Sequence, residues 1–182
     1  MTDQTRELLS AVLADLAEVV GGISPAQLHD PTPCTDYDVA QLRDHVLHWL
    51  TTFADAFADQ PGSGQLETIT AAADRMDQAL RAGAASRPLR LGDSAMPGDM
   101  ALSMILWEYQ MHGWDLARAT SQAWSPSAAA AEESLEFAPG MLTADYQGEG
   151  KAFAPRVPVP ESAPAFDRLL GLSGRDPAWA GA

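Results

Sequence analysis

Cysteine is nearly missing from this chain. Cys34 stands alone, so no internal disulfide can form, and nothing in the cysteine usage calls for an oxidising compartment. Basic residues are scarce as well: 11 Lys and Arg face 25 Asp and Glu, a formal charge of −14. That balance argues against broad contact with nucleic-acid phosphates, which needs clustered cations. It argues equally against anionic membrane surfaces. No run of about 18 apolar residues occurs, so no transmembrane helix is expected. The N-terminal stretch MTDQTRELLSAVLADLAEVV lacks the cationic start and apolar run of a secretory signal. The location these features predict is the cytoplasm. Strand-like alternation is also almost absent, and no internal repeat stands out beyond the alanines at 128–131.

What is present is helical periodicity. The 182 residues are 46% hydrophobic, enough for one domain spanning 1–182 with a real core. Apolar residues at helical spacing run from Leu8 to Val20 and stop at Gly21-Gly22, predicting a helix over 2–20. A loop rich in Pro, Thr and Asp follows, in which Thr35 or Asp36 can cap a second helix over 36–59. PGSG at 61–64 is a break, and an alanine-rich helix with Leu66, Ile69, Met76 and Leu80 is expected over 65–84. The connection 85–98 is long for a turn, so it is expected to cross an end of the molecule or line a pocket. A fourth helix spans 99–121. A fifth starts with Ser125 as cap and Pro126 at its first position and ends near Pro139-Gly140. An extended, proline-punctuated segment and a short last helix close the chain. The prediction is an all-α bundle with a short C-terminal helical and extended segment.

Within the stretch LWEYQMHGWDLARAT two polar residues stand out. On this fourth helix Ala101, Leu102, Met104, Ile105, Tyr109, Leu116 and Ala119 cluster around one direction. His112 lies within roughly 20° of that centre and Glu108 within roughly 60°, at about 100° per residue. Four residues apart, the two are neighbours on one face. Burying an ionised carboxylate without a partner costs several kcal/mol or more. Either a metal ion compensates, or a Glu–His hydrogen bond within the helix does. A metal needs further ligands from a facing helix. On the second helix His45 lies roughly 85° from the apolar centre and His48 roughly 145°. His45 is thus the better third ligand, His48 the alternative, and His29 a surface loop residue. Two His and one carboxylate with open positions form a common catalytic metal arrangement. Asp115 either orients a ligand histidine or pairs with Arg118 at i, i+3. Trp114 reads as packing, and Tyr109 and Trp49 read as core rather than pocket. Cys34, placed just before a helix N-terminus, is either a reactive thiol or a small residue packed under the loop.

The segments TPCTDYDVAQLRDHVLHW (32–49), MPGDMALSMILWEYQMHGWDLARAT (96–120) and AFAPRVPVPESAPAFDRLLGLSGRDP (152–177) resemble the DinB/YfiT-like superfamily of metal-binding four-helix bundles. More narrowly, they resemble the group related to the N-terminal domain of mycothiol-dependent maleylpyruvate isomerase. The resemblance implies a divalent metal, usually zinc, with nickel or another first-row ion as alternatives, held by His45, Glu108 and His112. It implies that the ion activates a low-molecular-weight thiol, mycothiol or a similar one, for transfer to an electrophilic substrate or for isomerisation. The isomerase family carries a second, catalytically contributing domain for which this chain has no room, so the resemblance implies the chemistry of the metal site and leaves the exact isomerase reaction open. The alternatives are a metal-binding binding or stress module without turnover and a metal-dependent hydrolase. No nucleic-acid or membrane partner is expected, and a homodimer is compatible with the bundle class.

Overall fold

A computed structural model describes residues 2–59 and 68–181. The PGSG break and the expected first turn of the third helix, with Leu66, lie outside the described residues. Among the described residues six α-helices form: α1 (Thr2–Gly21), α2 (Val39–Ala58), α3 (Ile69–Arg81), α4 (Gly98–Ala119), α5 (Ala128–Met141) and α6 (Ala165–Leu172). The all-α expectation holds. Helix α1 packs on α3 and α4, and α2 packs on the same two, so the four close into a bundle. Its interior is the apolar stripe of each helix, including Leu9, Leu16, Leu42, Leu50, Met76, Leu102 and Ile105, all nearly inaccessible to solvent. Burial of each such side chain contributes about 1.5–3 kcal/mol.

Three helix starts differ from expectation, among them that of α3, which begins at Ile69 and not at residue 65 because the Thr68 hydroxyl accepts from the Ala71 N–H. Helix α2 begins at Val39, because Asp38 and Gln41 cap each other: the Gln41 N–H donates to the Asp38 carboxylate at 2.8 Å, and the Asp38 N–H donates to the Gln41 side chain at 3.0 Å. This reciprocal box satisfies two orphan donors, which neither Thr35 nor Asp36 does here. Helix α5 is capped by Ser127, whose hydroxyl accepts from the Ala130 N–H, so Pro126 falls outside the helix. It also runs through Pro139 to Met141. Pro139 sits in the last turn, and the Leu142 N–H still reaches the Ala138 carbonyl at 2.9 Å.

The connection between α3 and α4 folds into a small antiparallel hairpin, β1 (Leu89–Leu91) and β2 (Ser94–Met96), turning at Gly92-Asp93. The chain then enters α4 at Gly98 so tightly that a Cβ there would stand 2.3 Å from the Arg87 carbonyl oxygen and 2.6 Å from that of Ala85. Both neighbours are backbone and cannot swing aside. Gly98→Ala is expected to cost about 1–3 kcal/mol, read as a lower urea midpoint with an unchanged slope.

Helix α4 departs from a one-faced pattern. One side belongs to the bundle core through Leu102, Ile105, Leu106, Tyr109 and Leu116. The other carries Trp107, Met111 and Trp114 into a second apolar cluster with Ala138, Leu142, Leu169 and Leu170 of the C-terminal third. Buried polar ties hold this second layer in register. The Gln110 amide, fully buried, donates to the Ala130 carbonyl and the Ser134 hydroxyl on α5. The Trp107 indole N–H donates to Ser173 Oγ at 2.9 Å, just past α6. Trp114 and Tyr109 are core residues, as expected, and Trp49 packs against the bundle core beside Phe53. No described helix is long and apolar enough to cross a membrane.

Candidate metal centre and its cavity

The seam between the two apolar clusters opens into a cavity of about 420 Å³. Helix α4 lines it with Met104, Trp107, Glu108, Met111 and His112, a stripe at i, i+3, i+4, i+7 and i+8. Helix α2 contributes His45. The loop before α2 contributes Cys34 and Tyr37, held by the Thr32 hydroxyl, which lies 2.9 Å from the carbonyl of each. The C-terminal segment supplies the remaining wall, including Phe153 and Arg175. The 85–98 connection lines a separate depression at the start of α4 and not this cavity.

One nitrogen each of His45 and His112 and one carboxylate oxygen of Glu108 lie within 4.8 Å of one another. The two imidazole rings meet edge to face, with centroids 5.3 Å apart. His48 is exposed and turned to Trp49, and exposed His29 pairs with Asp38 at 3.3 Å. Among the described residues no group hydrogen-bonds the Glu108 carboxylate, so the intrahelical Glu108–His112 bond is not the arrangement adopted. His112 turns Nδ1 to Asp115 Oδ2 at 3.2 Å instead. With the proton on Nδ1, Nε2 keeps a free lone pair.

Asp115 is fully buried. Its partner is Arg175, which donates from Nη2 at 2.9 Å and from Nε at 3.4 Å, while Arg175 Nη1 donates to the Ser173 carbonyl at 2.9 Å. Burial alone would raise the Asp115 carboxyl, but Arg175 and His112 outweigh it and hold it below the usual carboxylate range. The Asp115–Arg118 pairing is not formed, because Arg118 reaches the Trp179 carbonyl and lies over the Trp114 ring. Arg175 escaped sequence reasoning: it lies 60 residues away in a loop, and no spacing rule connects it to α4. The apolar wall of α4 did carry a signal, since Met104, Trp107 and Met111 share the helical stripe of Glu108 and His112.

Cys34 lies on the cavity wall, but it lacks the stabilisation expected for a reactive thiolate. Helix α2 starts beyond Asp38, so no helix N-terminus faces the sulfur. Burial first, and Asp115 next, push the thiol up to about 11, and it stays protonated at neutral pH. Cys34, His112 and Asp115 also bring one ligand atom each within 4.8 Å, yet Arg175 already occupies Asp115 and repels a second cation there.

The first trio suits a divalent ion. Two imidazoles and a carboxylate are the borderline donors that zinc and its first-row neighbours accept. Bonds of about 2.0–2.1 Å place tetrahedral ligands about 3.3 Å apart, and the three atoms already lie within 4.8 Å of one another. Burial, followed by the His112 and His48 charges, lowers His45, keeping it neutral as a ligand must be. Burial raises the Glu108 carboxyl against the opposing pull of His112. In the metal-free protein this group therefore contributes stability fully present below its ordinary value of 4.5 and lost as pH rises through the raised value. An ion requires the ionised form and reverses the slope. The urea midpoint of the metal-free protein, taken relative to Glu108→Gln, is expected to fall as pH rises through that window. With zinc added, the difference is expected to rise with pH instead.

Comparisons with known proteins agree with this picture in part. Residues 9–67 match the family model described as the mycothiol maleylpyruvate isomerase N-terminal domain. Two Mycobacterium tuberculosis proteins, "Uncharacterized protein MT0763" of strain CDC 1551 / Oshkosh and "Uncharacterized protein Rv0738" of strain ATCC 25618 / H37Rv, are each 28% identical over 165 residues, covering 87% of this chain and 91% of theirs. No solved structure matches the chain significantly. From residue 9 to residue 67, the stretch that carries His45, the chain is thus similar to the mycothiol maleylpyruvate isomerase N-terminal domain, the group its helix motifs resemble.

Proposed function

We propose that the protein holds a divalent metal ion, zinc in the first instance, on His45, Glu108 and His112, and uses it to activate a low-molecular-weight thiol, mycothiol or one like it, for transfer to an electrophile or for isomerisation. The single observation that carries this reading is the convergence of three ligand atoms within 4.8 Å at the wall of a cavity, with Glu108 left without a hydrogen bond. When bound, such an ion supplies Lewis acidity, which holds a thiol as thiolate or lowers the pKa of water. The chain's own residues do the rest. Asp115 fixes the His112 tautomer and ring angle through Nδ1. Arg175 keeps Asp115 ionised. The apolar side chains of the cavity wall, Met104, Trp107 and Met111 among them, would limit water beside a bound thiol.

The test is spectroscopic. Cobalt-substituted protein, mixed with a small thiol, is expected to develop a thiolate-to-cobalt band in the near ultraviolet that His112→Ala lacks. Metal uptake without that band, together with turnover of activated esters in thiol-free buffer, would replace this reading with a hydrolase. Metal uptake with neither would leave a binding module.

A further inference from the structure

We infer that the second substrate of this site is an uncharged, apolar molecule and not a carboxylate. The inference rests on the metal-and-thiol reading above, and the cavity wall carries it further. Beside the candidate ligands α4 lines the cavity with Met104, Trp107 and Met111, and the C-terminal third adds Met141 and Phe153. The Trp107 and Phe153 rings lie with centroids 5.5 Å apart and planes 38° from parallel. That pair offers a surface for a flat or branched apolar group. The three methionines, unbranched and polarizable, can reshape around ligands of different outline.

The charges point the same way. Among the described lining residues Arg175 is the one permanently cationic side chain. Its guanidinium is already committed to Asp115 and to the Ser173 carbonyl. Drawing it toward an anionic substrate would leave Asp115, fully buried, without its countercharge, at a cost of several kcal/mol. The other charged residue of the loop wall is Asp36, which repels anions. At a bound ion, one charge from Glu108 and one from a thiolate would together cancel the +2. A carboxylate entering beside them would lose its hydration and gain no ion pair. A neutral apolar molecule loses little and gains the wall.

The probes are 2-naphthol and 2-naphthoate, which share a ring system and differ in charge. Each is titrated, by calorimetry and tryptophan quenching, into the full-length zinc-loaded protein saturated with 2-mercaptoethanol and into the metal-stripped protein. Naphthol is expected to bind at least tenfold more tightly than naphthoate in both forms. Met141→Arg, which sets an uncommitted cation in the wall, is expected to improve naphthoate binding at least tenfold. Met104→Arg serves if thermal unfolding shows that Met141→Arg is not folded. Equal or tighter binding of naphthoate to the unmodified protein would overturn the inference, and so would saturation by neither compound. A separate zinc titration keeps the two readings apart: absence of zinc binding sinks the metal reading while the preference for naphthol still stands or falls on its own.

Discussion

Replacing Asp115 with alanine is expected to destabilise the protein by about 3–5 kcal/mol, the usual result of removing one partner of a buried ion pair. For a chain of this length that corresponds to a fall in Tm of about 6–20 °C. The cause is the charge left behind. Asp115 is inaccessible to solvent, and the Arg175 side chain is only 12% exposed, so the guanidinium would have neither countercharge nor full hydration. The double variant Asp115→Ala/Arg175→Met is expected to recover most of the loss, because an apolar pair of similar volume carries no desolvation penalty. Stability and metal affinity should then separate. The double variant still lacks the acceptor for His112 Nδ1, so its zinc affinity is expected to remain about 10–100-fold below that of the unmodified protein. Thermal unfolding and calorimetric zinc titration of the same samples check both statements. A double variant as unstable as the single one would show that the pair is not the source of the effect.

His112→Ala is expected to weaken zinc binding by more than about 100-fold, beyond what loss of an orienting partner costs. His45→Ala should behave alike and His48→Ala should not, because His48 is exposed, edge-on to Trp49 and outside the cavity. Unlike Asp115, both candidate ligands are half-buried and lack a buried countercharge that would be stranded, apart from the contact of His112 with Asp115. The helical circular dichroism of His45→Ala is therefore expected to match that of the unmodified protein. Full zinc stoichiometry in His112→Ala, measured by elemental analysis after dialysis, would remove the basis of the proposed chemistry.

Much of the architecture was legible in the sequence because the helices announce themselves through 3.6-residue periodicity. Helix ends were less so. Thr35, Asp36 and Asp38 are all acceptable caps, and the choice fell to the one with a glutamine three residues on. The candidate ligands were legible for the same reason as the helices: Glu108 and His112 share a face at i, i+4, and His45 flanks the core side of its own helix. Two features were not. The second apolar cluster depends on how α5 and α6 fold back onto α4, which no local pattern encodes, so α4 read as one-faced. The Asp115–Arg175 pair joins residues distant in sequence, and the local candidate, Arg118, sits at a favoured spacing but points elsewhere.

The seam between the two apolar clusters has a consequence for how such a protein diversifies. The candidate ligands all hang from α2 and α4, whereas Met141, Phe153 and Arg175 of the facing wall come from the last third of the chain. Substitutions at Met141 and Phe153 would retune which molecule is admitted while leaving the three candidate ligands and the Asp115–Arg175 pair in place. Under the proposed reading, proteins that keep His45, Glu108 and His112 would then hold the same ion and part company in what they apply it to.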